Sequence, residues 1–503
     1  MIRTGAKGPI KCSARIANGQ VTVAPSETGA LGYRADPTSP SSGLFVEWDF
    51  NGGILEVRND PLGFIPIYYR YDSRTFEFST SILALLDDAG AGQFDTAAIA
   101  LFLRTGLYLS DRTPFSAIRV MPGGSRLRFG PNGFCLVAPD RPLCGDESPA
   151  SLPETQAAYG DLFEAGISRF REMSLNKIAV PLSGGRDSRH ILLELCRAGL
   201  GDITCVTVRS RSSDADVDVA GQLARRLTVP HITVGPVPNW VEAERRKNLL
   251  TNFNSKEHTW ILPLADHFSA SSYDGIFDGI GGDVLSQSKN LTAERLTRYR
   301  RGELGELAEE ILGKEGYLPK MLAAGAYRQF RREDAKALLV EELERYVDTP
   351  NPVGQFFFWN RTRRSIASST FGILAQRNPV FAPFLDIDLY RFLSSLPGEL
   401  LVERRLHDEV IKARYPEYSD IDYADGRSTG QRDASKSRHG QMLQLARYFG
   451  KHSTGQKSFR RSFVYARLLK GMWSSSFCGG SIPAFTIPLY LNELHRAAAG
   501  EYS

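Results

Sequence analysis

An apolar run from Ile178 to Leu182 is followed at once by Ser183-Gly184-Gly185-Arg186-Asp187-Ser188 and then by an amphipathic stretch that ends at Gly199. No other segment of the chain restricts the fold so tightly. A buried strand that turns through Ser-Gly-Gly straight into a helix aims backbone N–H groups at one point, with the helix dipole behind them, and such a point accepts an anion. The two glycines are expected to allow positive φ and close approach of the backbone to oxygens, with Ser183 and Ser188 as hydroxyl donors. Asp187 would repel a phosphate unless a cation lay between them, which makes it a candidate Mg²⁺ ligand. The spacing is not G-x-x-x-x-G-K-[ST], so this is not the loop that cradles β- and γ-phosphates in kinases and GTPases.

Around this loop the pattern is strand, helix, strand: KIAVPLS, SRHILLELCRAG, ITCVTV, DVDVAGQLARRLT and HITVG. That alternation predicts a parallel sheet covered on both faces. A second glycine-rich turn closes a short apolar run at Gly275-Ile276-Phe277-Asp278-Gly279-Ile280-Gly281-Gly282-Asp283. Loops at the carboxyl ends of parallel strands line the ligand crevice, so Asp283 is expected to meet Asp187 across a shared metal although 96 residues separate them. From about Ala293 onward the chain reads as mainly helical.

The first part of the chain is different. From about Gly43 to Val137 short alternating runs, with Asn51-Gly52-Gly53 and Pro131-Asn132-Gly133 turns, predict antiparallel pairs, with a helix near Thr96 to Leu107. Residues 139–154, PDRPLCGDESPASLPE, read as a linker. The expected fold is therefore two-domain α/β: an antiparallel β-rich domain over 1–138, the linker, and a parallel-sheet domain with a helical extension over 155–503. The length of 503 residues suits that division. Six separated cysteines without a C-x-x-C pair argue against a zinc site or a disulfide framework. A net charge of +4 does not imply nucleic acid, although 15 Lys and Arg against 8 Asp and Glu between Leu401 and Lys470 form a basic surplus suited to something anionic. No apolar stretch reaches the roughly 20 residues of a membrane span, and the first residues lack the apolar core of a secretory signal. A cytoplasmic protein is expected.

The SGG-x-DS loop resembles the pyrophosphate loop of the ATP pyrophosphatases, and further segments resemble the asparagine synthetase family, which includes β-lactam synthetases and lasso peptide cyclases. Asp278 to Asp283 resemble its S-G-E-G-A-D-E segment. Arg58-Asn59-Asp60-Pro61-Leu62-Gly63 through Tyr69, with Phe78-Ser79-Thr80, resemble segments of its class II glutamine amidotransferase domain, and Pro383-Phe384-Leu385-Asp386 resembles its P-F-L-D. The resemblance implies an adenine-nucleotide α-hydrolase-like parallel sheet in the second domain. It also implies ATP and Mg²⁺, with Asp187 and Asp283 at the metal. Nucleotide contacts are implied at Leu182, Ser183, Gly184, Gly185, Asp187, Ser188, Asp278 and Gly279, and at the strand end carrying Thr207 and Val208.

Departures from the family pattern shape the functional expectation. The chain begins Met1-Ile2-Arg3, without the cysteine that hydrolyses glutamine, so a degenerate amidotransferase-like domain is expected, and Cys12 is not expected to substitute. Ile280, Val284, Pro379 and Phe381 replace charged family residues, which disfavours a β-lactam product. The family's late lysine lacks a clear counterpart, and Arg427 or Lys436 are the candidates for its role of stabilising developing charge. The implied reaction adenylates a substrate carboxylate, borne by a small molecule, peptide or glycan, and couples it to an amine donor or ammonia. His258, Tyr273, Glu403 and His407 are candidates for the base this needs. No nucleic acid or membrane partner is expected, and a homodimer or a complex with a pathway partner would be compatible. The rival expectation is a catalytically silent, nucleotide-binding homologue that acts as a scaffold.

Overall fold

Antiparallel strands occupy the first part of the chain and parallel strands the second. The computed structural model describes residues 9–36, 39, 41–86, 92–147, 151–210, 214–287, 290–402, 405–424, 435–452, 456–473 and 475–502. The first part holds β1 (Lys11–Ala17), β2 (Gln20–Ala24), β3 (Thr28–Tyr33), β4 (Leu44–Asn51), β5 (Ile54–Asn59), β6 (Tyr68–Tyr71), β7 (Thr75–Ser79), β8 (Arg119–Val120), β9 (Arg126–Gly130) and β10 (Gly133–Val137). They form two five-stranded antiparallel sheets, in the orders β2-β1-β7-β6-β8 and β10-β9-β5-β4-β3. Alternation along each strand sends Ala14, Phe76 and Phe78 of one sheet and Val46, Val57 and Leu127 of the other into a shared core. The helix α1 (Thr96–Thr105) is capped by Asp95, which accepts the Ala98 N–H, and closed by Gly106 at φ +76°. The strands begin earlier than the sequence pattern indicates. β3, TGALGY, is glycine-rich and weak in strand propensity, and β1 and β2 are a half-exposed hairpin turned at Asn18 and Gly19.

The second part contains β11 (Lys177–Pro181), β12 (Asp202–Val208), β13 (His231–Val234), β14 (Gly275–Phe277) and β15 (Val380–Phe381). All neighbours are parallel, in the order β13-β12-β11-β14-β15. The helix α2 (Leu152–Ser168) precedes the sheet, α3 (Asp187–Ala198), α4 (Ala215–Arg226), α5 (Trp240–Leu250) and α6 (Leu262–Ala270) lie between β11 and β14, and a run of further helices from Ala293 to Gly372 separates β14 from β15. The strand order runs one way from β11 to β13 and the other way from β11 to β15. The reversal falls between β11 and β14, which is where a crevice opens at the carboxyl ends of such sheets. Among the described residues no helix is long and apolar enough to cross a membrane.

A π-helical segment, Phe358–Ile366, ties the two parts together. Arg363 Nε donates to the carbonyls of Leu62 (3.0 Å) and Gly63 (3.1 Å), and its Nη2 donates to Met121 O (2.6 Å). Arg364 donates to the carbonyls of Ser110 and Arg112 and to Asn254 Oδ1. The segment before α2 is also pinned: Gly145 N–H donates to Ser394 Oγ at 2.8 Å, and Tyr390 Oη donates to Leu143 O.

The Arg58–Gly63 segment works as a junction. Asp60 is fully buried and accepts N–H groups from Phe45, Leu62 and Gly63. Burial dominates, so the carboxyl rises from 3.8 to about 6, with the three N–H groups and Arg363 offsetting only part of the cost. A carboxyl raised in this way favours the fold fully below its ordinary pKa and loses that contribution as pH rises through about 6. Asp60→Asn has no charge to gain. Between about pH 4 and pH 7 the stability of the wild type relative to this variant should fall by about 3 kcal/mol; denaturant titrations across that range test it, and a constant difference would contradict the assignment.

Candidate functional site

The loop after β11 has the strand-to-helix form that its sequence predicts. Leu182 continues the strand with its N–H on Val206 O at 2.9 Å, and α3 starts at Asp187, so the first-turn N–H groups of α3 point towards the loop. The two glycines serve close approach and not positive φ. Gly184 and Gly185 lie outside the left-handed region, but a methyl group on Gly184 would overlap Ala424, and one on Gly185 would stand 3.2 Å from Ser183 Oγ. The loop N–H groups are also partnered within the chain, contrary to a simple open cradle. Ser183 N–H donates to Ser188 Oγ (3.0 Å), Gly185 N–H to Ser183 Oγ (3.2 Å) and Gly184 N–H to the Asp216 carboxylate (2.8 Å). Asp216 sits in the first turn of α4 and was not singled out from sequence. The one available signal was an acidic residue at the start of the helix that follows β12, whose N-terminus faces the same end of the sheet.

The turn after β14 folds against Asp187. A methyl group on Gly279 would lie 2.9 Å from Asp187 Cβ, and one on Gly282 would lie 2.6 Å from Asp187 Cγ. The two motifs thus meet, as their positions at β11 and β14 require. Asp278 is held by its N–H to Phe381 O (2.9 Å) and accepts from Ile280 N–H (3.0 Å) and the Thr370 hydroxyl (3.3 Å). Burial pushes its carboxyl up to about 6, and the Asp187 charge adds to that. Burial first, and then Asp187, push Asp283 up to about 6, against the pull of Arg361 and His407. Asp187, whose side chain is 31% exposed, and the exposed Asp283 repel one another, and two such carboxylates suit a divalent cation between them. Among the described residues no group of three or more His, Cys, Asp and Glu side chains is placed to hold a metal by itself.

Other groups fix the loop from behind and above. Arg186 makes a two-pronged ion pair with Asp408, and Arg189 donates to the carbonyls of Ile421 (2.6 Å) and Asp422 (2.8 Å). Both guanidinium groups lie on the Tyr423 ring, at 4.2 and 4.1 Å from its centroid, and Ala424 N–H donates to Gly184 O at 2.9 Å. The 421–424 strip is thereby clamped onto the loop. These partners are more than 200 residues from it in sequence, and no local pattern announces them.

The remaining sequence-named residues divide as follows. The Thr207 hydroxyl, almost fully buried, donates to Leu182 O (2.6 Å) and accepts from His231 Nε2 (2.8 Å), so it braces the loop from β12, while Val208 ends that strand. His407 is fully buried, with Nδ1 3.4 Å from Asp187 Oδ1. Tyr273 precedes β14, at the amino end of the sheet, with its N–H on Asn378 Oδ1; the structure does not bring it to the loop. His258 hydrogen-bonds Ser255 (3.0 Å), and burial holds it down to about 4, too weak a base to carry much of a proton load. Glu403, Arg427 and the side chain of Lys436 lie outside the described residues. Cys12 is buried in β1 with its thiol pushed up to about 11 by burial, the opposite of an activated nucleophile. Ile280 and Val284 are both buried apolar residues.

No family model and no curated protein matches the chain. Among solved structures it is similar to a U34-tRNA thiolase from Methanococcus maripaludis, solved with its [4Fe-4S] cluster, at 12% identity over 52% of this chain and 75% of that one, with a TM-score of 0.21. It is also similar to a glutamine phosphoribosylpyrophosphate amidotransferase from B. subtilis complexed with ADP and GMP, at 11% identity and a TM-score of 0.14. That match covers 52% of this chain and only 44% of the amidotransferase. Both likenesses are too distant to bear on activity.

The packing of Asp187 against the glycine turn is open to a direct test. Gly282→Ala should cost about 1–3 kcal/mol by overpacking, whereas Gly305→Ala, at a helical glycine with nothing within 4 Å of the added methyl, should leave stability unchanged or raise it. Denaturant unfolding of the two variants reads this, and equal effects would refute the close contact.

Proposed function

We propose that the protein is an ATP-dependent amide-bond synthetase that forms AMP and pyrophosphate and does not hydrolyse glutamine. The observation that carries the reading is the meeting, at the strand-order reversal, of the Ser183–Ser188 loop and the Asp278–Asp283 turn, with Asp187 of the first packed on Gly279 and Gly282 of the second. The resemblance of both segments to the asparagine synthetase family supports the same reading.

A substrate carboxylate oxygen attacks the α-phosphorus of ATP, the bond to the bridging oxygen of the β-phosphate breaks, and pyrophosphate leaves. An amine then attacks the acyl carbon, AMP leaves, and the amine gives up a proton. The first step asks for alignment and charge neutralisation and not for a protein nucleophile. Ser183, Ser188 and the α3 N-terminus would hold phosphate oxygens. Thr207 would keep Leu182 and the nucleoside side of the loop in place, with Val208, Asp278 and Gly279 beside it. Asp187 and Asp283 would hold Mg²⁺, which supplies positive charge to the phosphates when bound. Arg427 and Lys436 remain the proposed sources of further positive charge. The buried, protonated thiol of Cys12 supports the absence of glutaminase chemistry.

Exchange of labelled pyrophosphate into ATP, with Mg²⁺ and pools of carboxylates tested with and without amines, should show exchange that requires a carboxylate but no amine. Asp187→Ala should abolish it with the fold intact by circular dichroism, and glutamine should yield no glutamate above a no-enzyme control. Silence from a protein that binds ATP would favour instead a nucleotide-binding scaffold, a reading that the buried Ile280 and Val284 make specific.

A further inference from the structure

We infer that His407, backed by His190, is the positioning residue that sets the Asp187 carboxylate towards the metal and phosphate, an inference that rests on the nucleotide reading of the loop. His407 belongs to the helix Leu406–Arg414, which packs on α2. His190 lies three residues after Asp187 on α3, so the two share a helix face, and His407 bridges them from outside. Its Nδ1 stands 3.4 Å from Asp187 Oδ1, and its Nε2 lies 3.1 Å from His190 Nδ1. Both rings are fully buried, and Tyr159, Phe163 and Phe384 surround them, with the Phe163 and His190 centroids 4.1 Å apart. Polar atoms in such an apolar box need partners.

For neutral imidazoles one pair of tautomers fits the partners, assigned from them as ring tautomers must be. A carboxylate only accepts, so His407 carries its proton on Nδ1. Its bare Nε2 then accepts from His190 Nδ1–H. That leaves His190 Nε2 as a lone pair without a partner, and this atom is indeed a buried nitrogen with no hydrogen bond. The reverse arrangement would set a lone pair of His407 against the carboxylate. His407 Nδ1 itself lacks a well-aligned hydrogen bond, although a carboxylate oxygen lies within reach. Contacts of this type are commonly long in the free protein and close when ligand binds. His407 thus stands against one oxygen of Asp187, while the Asp187 side chain as a whole retains 31% exposure. Carboxylates that hold metals are oriented by such outer partners. His407, at zero exposure behind Asp187, does not touch a substrate amine, so the role of base does not fall to it.

Two small polar replacements separate this role from simple packing. The amide nitrogen of Asn can occupy the place of imidazole Nδ1, and that of Gln the place of Nε2. Binding of Mn²⁺ to the protein in the presence of ATP, read by electron paramagnetic resonance, should therefore stay within about threefold of wild type in His407→Asn and weaken by about 10–100-fold in His407→Gln. The Michaelis constant for MgATP in pyrophosphate exchange should follow the same order. Equal binding by the two variants, whether both are weakened or both are intact, would overturn the positioning role while leaving the nucleotide reading in place. A wild-type protein that binds no Mn²⁺ with ATP would overturn both.

Discussion

Everything at the candidate site depends on the approach of two loops that only glycine permits. Asp187 begins α3, and its side chain is flanked by the backbone of the Asp278–Asp283 turn at a distance that a Cβ on Gly279 or Gly282 would fill. The approach places three aspartates in one corner, where desolvation by the packed loops and then the Asp187 charge raise the carboxyls of the half-buried Asp278 and of Asp283 to about 6. This corner is unfavourable for the bare anions and favourable for anything that brings positive charge. Natural sequences keep such local conflicts mainly where function uses them. The rest of the second part of the chain reads as support for this corner: α3 by its N-terminus, β12 through Thr207, α4 through Asp216, and the 421–424 strip through Arg186, Arg189 and Tyr423.

The first part of the chain contributes by holding the frame. Arg363 and Arg364 leave a π-helical segment side by side and end on backbone carbonyls of residues 62, 63, 110, 112 and 121. π segments are often found at functional sites, and here one carries both of the arginines that reach the first part of the chain. Tyr33 of β3 adds a link, accepting the Ala382 N–H at 3.1 Å just after β15. The Asp60 turn, which resembles an amidotransferase segment in sequence, here does architectural work: it shapes the carbonyls that Arg363 reads.

What the sequence made legible was the local part. A strand, a Ser-Gly-Gly turn and an amphipathic helix are consecutive, so the loop after β11 and its residues Ser183, Asp187 and Ser188 follow from patterning. The match of Asp283 to Asp187 follows from the rule that parallel strands place their following loops at one end. The strip at Tyr423, the Asp408 partner of Arg186 and the pair His190 and His407 were not legible in these roles, because each depends on which distant helix packs on α2 and α3. The short β15 was hidden for a related reason: Val380 and Phe381 become a strand only because β14 offers an edge. Of the two uses expected of the loop glycines, positive φ is absent and close approach is present. Their φ angles lie outside the left-handed region; Ala424 leaves no room for a side chain at Gly184, and Ser183 Oγ only crowds one at Gly185.

The site has two sides of different chemical character. On one side the Ser183–Ser188 loop, its helix and the carboxylates of Asp187 and Asp283 are present, and the loop is braced by Thr207, Asp216 and the 421–424 strip. On the side where the resembled family keeps charged residues, this chain has Ile280 and Val284 packed into the core, and Phe381 sits in a cluster with Tyr33, Phe170 and Phe277. These apolar side chains cannot accept the proton that an attacking amine must lose. Tyr273 is at the far end of the sheet, His258 is held near 4, and His407 is shielded by Asp187. In the proposed reaction the proton therefore passes to the substrate itself, to the departing phosphate, or to a side chain such as Glu403 outside the described residues. In that proposed reaction the Ser183–Ser188 loop would constrain only the nucleotide, so specificity for the acyl and amine partners would fall to this apolar side.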